Sequence, residues 1–298
     1  MSAPEDQWSA WLARERSGGD PVRAAAIAAD TRTFADRVLR RLSLKPGYVV
    51  ADVGCGEGLV GLAALEREGV HVVFTDVSPV LVERARDAVR DRGALSRATF
   101  AVADAASLTA LGDASVDAVV SRSALAYLTD KAPAFAAARR VLRRGGRLSI
   151  AEPIFRDAAL RLTAMRGVIA SADPDLELLH RWHALALPDT VDGIRAHPLT
   201  NFDERNLMHL ATSAGFTDVH LRLHLDQCGP VAMGWNVALA TAQIPGAPTL
   251  GEALATRYTA EERARFERRF RPLFERGLFS PEVRALAYLW ATGPGADA

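Results

Sequence analysis

An apolar run that ends in an acid and continues into alternating glycines constrains this chain more than any other feature. Residues 48–53 read YVVADV, glycines follow at 54, 56 and 58, and an apolar helical pattern resumes at 59. The pattern predicts a buried strand, a tight loop and the start of a helix. Because glycine lacks a Cβ, the backbone of such a loop can approach a ligand closely. On its own, the loop suits a dinucleotide, a phosphate or an adenosyl group.

Strand-like and helix-like segments alternate regularly from residue 48 to residue 152. The alternation predicts an α/β fold in which a mostly parallel, Rossmann-like sheet carries helices on both faces. Ligands bind such sheets outside the carboxyl ends of the strands, at the topological switch point. The predicted strands are 48–53, 70–75, 98–103, 116–121 and 147–152, and the predicted helices are 59–67, 79–92, 106–111 and 131–143.

Composition excludes several classes of protein. The 298 residues are 49% hydrophobic and 24% charged, as in ordinary globular proteins. Lys and Arg (36) balance Asp and Glu (36), so no net charge attracts nucleic acid or an anionic membrane. The sequence shows neither an apolar run long enough to span a membrane nor a signal peptide. Two cysteines, Cys55 and Cys228, make no disulfide framework. We expect a cytoplasmic protein with no nucleic-acid or membrane partner.

The glycine loop can be read in two frames. Gly56, Gly58 and Gly61 fit the G-x-G-x-x-G fingerprint of dinucleotide folds, which would make the chain an NAD(P)-dependent oxidoreductase. The earlier frame, Asp52-x-Gly54-x-Gly56-x-Gly58, resembles motif I of the class I S-adenosylmethionine-dependent methyltransferases.

Two further acids favour the methyltransferase frame. Asp76 and Asp104 end the second and third predicted strands. Either acid alone fits a turn or a helix N-cap equally well. Both together, behind this loop, match the family pattern, whereas a dinucleotide fold does not require Asp104.

The resemblance implies S-adenosylmethionine as cofactor and assigns roles to residues of this chain. Asp76 would hold the ribose hydroxyls, Asp104 and the following backbone N–H would read the adenine, and the segment 121–127 would lie against the methionine part. The residues expected to bind the cofactor are Asp52, Gly54, Cys55, Gly56, Gly58, Asp76, Val77, Asp104, Ala105, Ser121 and Arg122.

The resemblance also implies the organisation of the chain. It covers residues 35–152 strongly and 202–225 weakly, and it makes 285–291 a seventh strand, antiparallel and beside the fifth. We expect an N-terminal helical cap over 1–42, in which Trp8 and Trp11 help to form a lid, and a methyltransferase domain over 43–298. Helical insertions at about 153–201 and 228–283 would complete the lid, and the stripe Phe266, Phe270 and Phe274 has the spacing of core packing.

The core resembles the arsenite-type and ubiquinone-biosynthesis-type small-molecule methyltransferases. Arsenic chemistry requires several thiolates, and only Cys228 lies outside the glycine loop. We therefore expect a small organic acceptor, such as a secondary metabolite, methylated at O, N or C by a monomer or homodimer. A non-catalytic partner subunit with the same fold is a third hypothesis, which the intact glycines and acids disfavour.

Methyl transfer is an in-line displacement, so positioning the acceptor is the main task and a general base is an addition. Tyr127, beyond the fourth strand, is the best-placed candidate. His180 and His183 stand three apart in a helical segment and have the side-chain pKa nearest neutrality. Packing or surface roles are open for all three. Glu152 ends the fifth strand, where it either points into the crevice or caps a helix. No carboxylate or thiolate completes a metal site with the histidines, and we expect none.

Overall fold

The computed structural model contains a single seven-stranded sheet within the residues that it describes, 4–229, 231–278, 282–293 and 295, with backbone only for 167–172, 228 and 282. The sheet order is β3-β2-β1-β4-β5-β7-β6, and β7 runs antiparallel to both of its neighbours. The strands are β1 (Val49–Val53), β2 (His71–Asp76), β3 (Ala98–Val102), β4 (Val116–Arg122), β5 (Leu142–Pro153), β6 (Thr217–Cys228) and β7 (Glu282–Thr292).

The central strands are rich in valine because both of their faces are covered by helices. Val50, Val72 and Val120 are at most 1% exposed. Helices α2, α3 and α4 pack on one face and α5 and α9 on the other. These helices are α2 (Pro21–Leu39), α3 (Leu59–Leu65), α4 (Pro79–Asp91), α5 (Ala132–Val141) and α9 (Glu204–Ser213), and α1 (Gln7–Ala10) precedes them with a π-helical turn at Trp11–Glu15.

A separate helical cluster follows the sheet core. Phe266, Phe270 and Phe274 are buried, and rings of this stripe contact Trp182 and Trp235. The predicted core role of the stripe is therefore confirmed. The helices outside the sheet core are α6 (Arg156–Ala172), α7 (Pro174–His183), α8 (Val191–Ala196), α10 (Trp235–Leu239), α11 (Leu250–Arg257) and α12 (Ala260–Arg276).

The predicted fold class is confirmed. So is the predicted place of the seventh strand, because residues 285–291 belong to β7, which pairs with β5 from Arg147↔Thr292 to Pro153↔Leu286. The switch point lies between β1 and β4, where the chain's strand order reverses. The division into a cap and a domain with insertions stays a prediction, and residues 1–3, 230, 279–281, 294 and 296–298 of those segments lie outside the described residues.

Three local predictions were wrong. The helix expected at 106–111 is a run of turns, and the helix from 59 ends at Leu65 rather than 67. Gly145 and Gly146 do not separate α5 from a later strand but lie inside β5, where the pairing with β4 shifts register. Gly145 has φ +69, and a Cβ at 146 would lie 2.9 Å from the Arg143 carbonyl oxygen. The glycine pair thus allows a bulge in a strand that begins directly at the helix end.

Candidate active site

The glycine loop after β1 packs against the loop after β4. Gly54, Gly56 and Gly58 all have left-handed backbone conformations, with φ of +66, +56 and +87. A Cβ at position 54 would lie 2.2 Å from the Cβ of Ala124, so only glycine permits this contact. The two loops that flank the switch point are therefore in direct contact.

Asp52 supports the glycine loop from beneath. Its side chain is 1% exposed, and Oδ2 accepts a 2.7 Å hydrogen bond from the Gly61 N–H. Burial raises the pKa of Asp52 to about 7. A Cβ at Gly61 would lie 2.2 Å from the Phe74 ring, which explains the glycine that completed the dinucleotide frame. In this structure the Asp52 carboxylate binds the backbone N–H of Gly61, and the lack of a Cβ at Gly61 leaves room for the Phe74 ring.

Asp76, the last residue of β2, lies beside the glycine loop. Its Oδ2 accepts from the Gly56 N–H and its Oδ1 from the Ser78 N–H, both at 2.9 Å. The residue is 7% exposed, and burial raises the pKa of its carboxyl. The next residue, Val77, is 58% exposed. The strand end thus presents a preoriented carboxylate next to the loop backbone.

The N-terminal segment, residues 4–19, covers this strand end. Asp6 accepts a short hydrogen bond from the Ser78 hydroxyl at 2.5 Å. Arg84 donates to the Ser9 carbonyl oxygen at 3.0 Å and to Glu57 at 3.3 Å. The segment is therefore attached to the start of α4 and to Arg84, which links it to the glycine loop through Glu57. No sequence pattern predicts this attachment, because Asp6 and Ser9 have the spacing of an ordinary helix N-cap.

Asp104 and the remaining loop residues occupy the same edge of the sheet. Asp104 follows β3, is exposed, and accepts from the Ala106 N–H at 2.9 Å. Cys55 is buried, and burial raises the pKa of its thiol. Ala105 and Ser121 line a small apolar cavity beside β4. Since β3, β2 and β1 are neighbours, Asp104, Asp76 and the glycine loop lie side by side, as the methyltransferase frame requires.

Glu152 anchors the loop after β4. It is completely buried, and its two oxygens accept hydrogen bonds from the N–H groups of Ala124 (3.4 Å), Leu125 (3.3 Å) and Ala126 (3.0 Å). Burial raises the pKa of the Glu152 carboxyl to about 7. Of the two roles that the sequence allowed, the structure shows one close to capping, in which the carboxylate organises neighbouring backbone.

Tyr127 lies at the end of this anchored loop, facing the N-terminal segment. Its ring meets the Trp8 ring edge-on, with 4.8 Å between the centroids. Burial raises the pKa of the Tyr127 phenol above its ordinary value. Trp11 turns elsewhere, and its indole N–H donates to the Ala242 carbonyl oxygen at 3.1 Å.

The two candidate histidines lie in the helical cluster. His180 Nε2 is 3.2 Å from the Leu162 carbonyl oxygen and 3.7 Å from Asp189. His183 Nδ1 is 2.8 Å from Gln243. These contacts hold the imidazoles among helices instead of placing them at the glycine loop. Their catalytic role stays a prediction without support from the geometry.

Two other kinds of feature, a metal cluster and a membrane-spanning helix, are absent from the described residues. In that part of the chain, no group of three or more His, Cys, Asp or Glu side chains has the arrangement of a metal site. Nor does any helix there have the length and apolarity needed to cross a membrane.

Known methyltransferases are among the proteins that this chain resembles, in agreement with the site described above. Residues 51–150 match the family described as "Methyltransferase domain". The chain is 30% identical over 166 residues to the O-methyltransferase rstn1 of Aspergillus nomiae, covering 56% of this chain and 67% of that protein. It is 30% identical over 179 residues to the 27-O-demethylrifamycin SV methyltransferase of Amycolatopsis mediterranei, covering 57% and 65%.

The likeness extends to the fold of most of the chain. The YcgJ protein of Bacillus subtilis superposes with a TM-score of 0.55 over 88% of this chain and 98% of that one, at 15% identity. This similarity shows the fold alone. The chain spans about half to two thirds of the length of the curated relatives that it matches. The matches give no support to the oxidoreductase interpretation of the loop. With the glycine loop, the strand-end acids and the strand order in agreement, this chain belongs to the class I S-adenosylmethionine-dependent methyltransferases.

Proposed function

We propose that this chain transfers a methyl group from S-adenosylmethionine to a small organic acceptor. The observation that carries the proposal is the buried carboxylate of Asp76, held beside the glycine loop by the Gly56 and Ser78 N–H groups at the carboxyl end of β2. Two relatives are named for O-methylation, which favours an oxygen acceptor over nitrogen or carbon. One of them is named for 27-O-demethylrifamycin SV, in keeping with a small organic acceptor.

The residues present fit this cofactor. Each Asp76 oxygen accepts one N–H and keeps acceptor capacity for a ribose hydroxyl. Asp104 and Ala105 would read the adenine, the backbone around Gly54–Gly58 would lie against the adenosyl group, and 121–127 would face the methionine part. When bound, the cofactor supplies a methyl group made electrophilic by its sulfonium centre.

The chain's own contribution to catalysis is positioning and exclusion of water. Holding two reactants in line is worth on the order of 7–11 kcal/mol in favourable cases. The N-terminal segment, fixed by Asp6 and Arg84, covers the strand ends and would act as the lid over 1–42 that the sequence predicts. Glu152 fixes the loop that presents Tyr127.

Tyr127 is the residue that we assign to the acceptor. Its raised pKa keeps the phenol protonated, so it would orient the acceptor by its ring and hydroxyl instead of removing a proton. His180 and His183 would act as bases only if the acceptor reached into the helical cluster.

Calorimetric titration of S-adenosylmethionine and S-adenosylhomocysteine into the protein and two variants tests the proposal. Asp76→Asn keeps the shape of the side chain and removes its charge. We expect it to weaken both ligands at least tenfold, because a hydrogen bond to a charged group contributes about 1.5–3 kcal/mol.

Asp117→Asn is the matched control. Asp117 also accepts a backbone N–H, that of Val49 at 2.8 Å, but lies near the amino end of β4, away from the strand ends that form the site. Its cofactor affinity should stay within about twofold of the parent. Equal affinity of the Asp76→Asn variant and the parent protein would overturn the assignment. Binding without transfer to any acceptor would identify the chain as a partner subunit.

A further inference from the structure

Three arginines from different parts of the chain form a group in which Arg16 is the common neighbour of Arg23 and of Arg122, which lies at the switch point. Arg16 follows the π-helical turn, Arg23 lies in the first turn of α2, and Arg122 ends β4. All three side chains are partly buried. Burial, together with the nearby charges of Arg122 and Arg23, lowers the pKa of Arg16 to about 10. Arg16 is therefore close enough to both Arg122 and Arg23 to be repelled by their charges.

None of the three guanidinium groups has a hydrogen bond or an ion pair within the described residues. The Nε atoms of Arg23 and Arg122 are buried and have no partner there. Arg97, by contrast, is also partly buried and donates to the Leu65, Arg67 and Val70 carbonyl oxygens. Hydrogen bonds of this kind are missing from the guanidinium groups of Arg16, Arg23 and Arg122 within the described residues.

The nearby acids are already engaged. Glu152 attracts Arg122, but its oxygens are taken by the N–H groups of the loop after β4. Glu57 attracts Arg16, but it accepts from Arg84. Burying a cation without a counter-charge is costly, so a cluster of this kind has an excess of positive charge that an anion would complete.

Aromatic rings lie against two of these cations. The Arg122 guanidinium lies 5.1 Å from the Phe34 ring centroid, and the Arg16 guanidinium lies 5.4 Å from that of Trp11. Tyr127, which faces Trp8, is near enough to Arg16 and Arg122 to feel their charge. Flat apolar walls and unpaired guanidinium groups suit a planar molecule that carries an anionic substituent.

We propose that Arg16, Arg23 and Arg122 bind a carboxylate or phosphate group of the methyl acceptor. This inference rests on the proposed function, because it places the acceptor beside Tyr127 in the same site. The amino-acid part of the cofactor carries an ammonium as well as a carboxylate. It therefore adds no net negative charge, and it leaves the cluster's excess for the acceptor. The acceptor of this enzyme is accordingly an anion at neutral pH.

The experiment measures two affinities by calorimetry. The first is that of S-adenosylhomocysteine for the protein alone. The second is that of benzoate, phenyl phosphate and the neutral isostere benzamide for the protein saturated with S-adenosylhomocysteine. We expect an anion to bind at least about tenfold more tightly than benzamide, as charge-assisted hydrogen bonds require. Arg23→Met should remove most of that preference and leave the affinity for S-adenosylhomocysteine within about threefold. Arg122→Met should also remove most of the preference, but because Arg122 lies in the segment 121–127 that would face the methionine part, only the Arg23 variant tests cofactor affinity. Arg122→Lys should recover part of the preference.

The possible results separate the two sources of anion. Loss of S-adenosylhomocysteine affinity in the Arg23→Met variant would show that the cluster serves the cofactor's carboxylate, and it would overturn the proposal. So would an absence of preference for either anion over benzamide in the parent protein. If the parent failed to bind S-adenosylhomocysteine, the proposed function would fall. The cluster would then be judged by anion binding to the protein alone, and its loss in Arg23→Met would still support an anion site. Arg23 lies in the first turn of α2, where the flanking residues 21, 22 and 24–26 are exposed, so that variant serves if Arg122→Met does not fold.

Discussion

Replacing Glu152 with glutamine should make the protein more stable at mildly alkaline pH. The folded-state pKa of about 7 lies above the ordinary value of 4.5, because the carboxyl is completely buried. Between these pH values the folded protein holds a proton that the unfolded chain releases. The contribution of this group to stability is therefore fully present below pH 4.5, and it is lost as the pH rises through about 7.

The size of the effect follows from the two pKa values. A difference between 4.5 and about 7 corresponds to roughly 3 kcal/mol, since each pH unit is worth about 1.4 kcal/mol. Glutamine has nearly the shape of the protonated carboxyl and does not titrate. The variant should match the parent within about 1 kcal/mol near pH 4.5 and exceed its stability by roughly 3 kcal/mol near pH 8.

Urea unfolding of cofactor-free protein, followed by circular dichroism at intervals from about pH 4.5 to 8, measures this difference. Glu68→Gln, at an exposed glutamate, is the control and should stay within about 0.5 kcal/mol of the parent throughout. Asp52 titrates equally in both proteins and cancels from the comparison. A Glu152→Gln variant that is less stable than the parent near pH 8 would refute the reasoning. It would mean that the N–H groups of residues 124–126 stabilise the carboxylate by more than burial costs.

Three further substitutions test the glycine loop, the N-terminal segment and the helical cluster. Gly54→Ala should weaken S-adenosylhomocysteine binding at least tenfold in calorimetry, whereas Gly93→Ala, with φ +65 and nothing within 4 Å of its Cβ, should bind normally. Trp8→Ala should leave global stability within about 1 kcal/mol. It should, however, make residues 4–19 cleave faster in limited proteolysis, and an unchanged rate would contradict the attachment described above. Phe266→Ala should lower the free energy of unfolding by about 3–5 kcal/mol, because the ring is completely buried. A loss below about 1 kcal/mol would show that the cluster is loosely packed.

The sheet could be predicted because its signals are local. Alternating short apolar runs and helical patterns placed the five parallel strands, and the glycines followed β1 where predicted. The helix expected at 106–111 failed because its weak pattern competes with the Asp104 turn, whose carboxylate accepts the Ala106 N–H. Gly145 and Gly146 look like a helix stop in the sequence, and only pairing with β4 shows that they make a bulge.

The residues of the candidate site also form two groups, those that could be identified from the sequence and those that only the structure located. By itself, the sequence determined the fold class, the glycine loop and the strand-end acids Asp76 and Asp104, because spacing along parallel strands fixes which residues share an edge. Only the tertiary structure decided that Glu152 organises a loop, that His180 and His183 belong to a helical cluster, and that Asp6 reaches Ser78. The arginine cluster likewise joins positions 16, 23 and 122, which no sequence pattern links. Contacts between residues far apart in the chain depend on how layers pack, and packing, burial and the resulting pKa values exist only once the chain has folded.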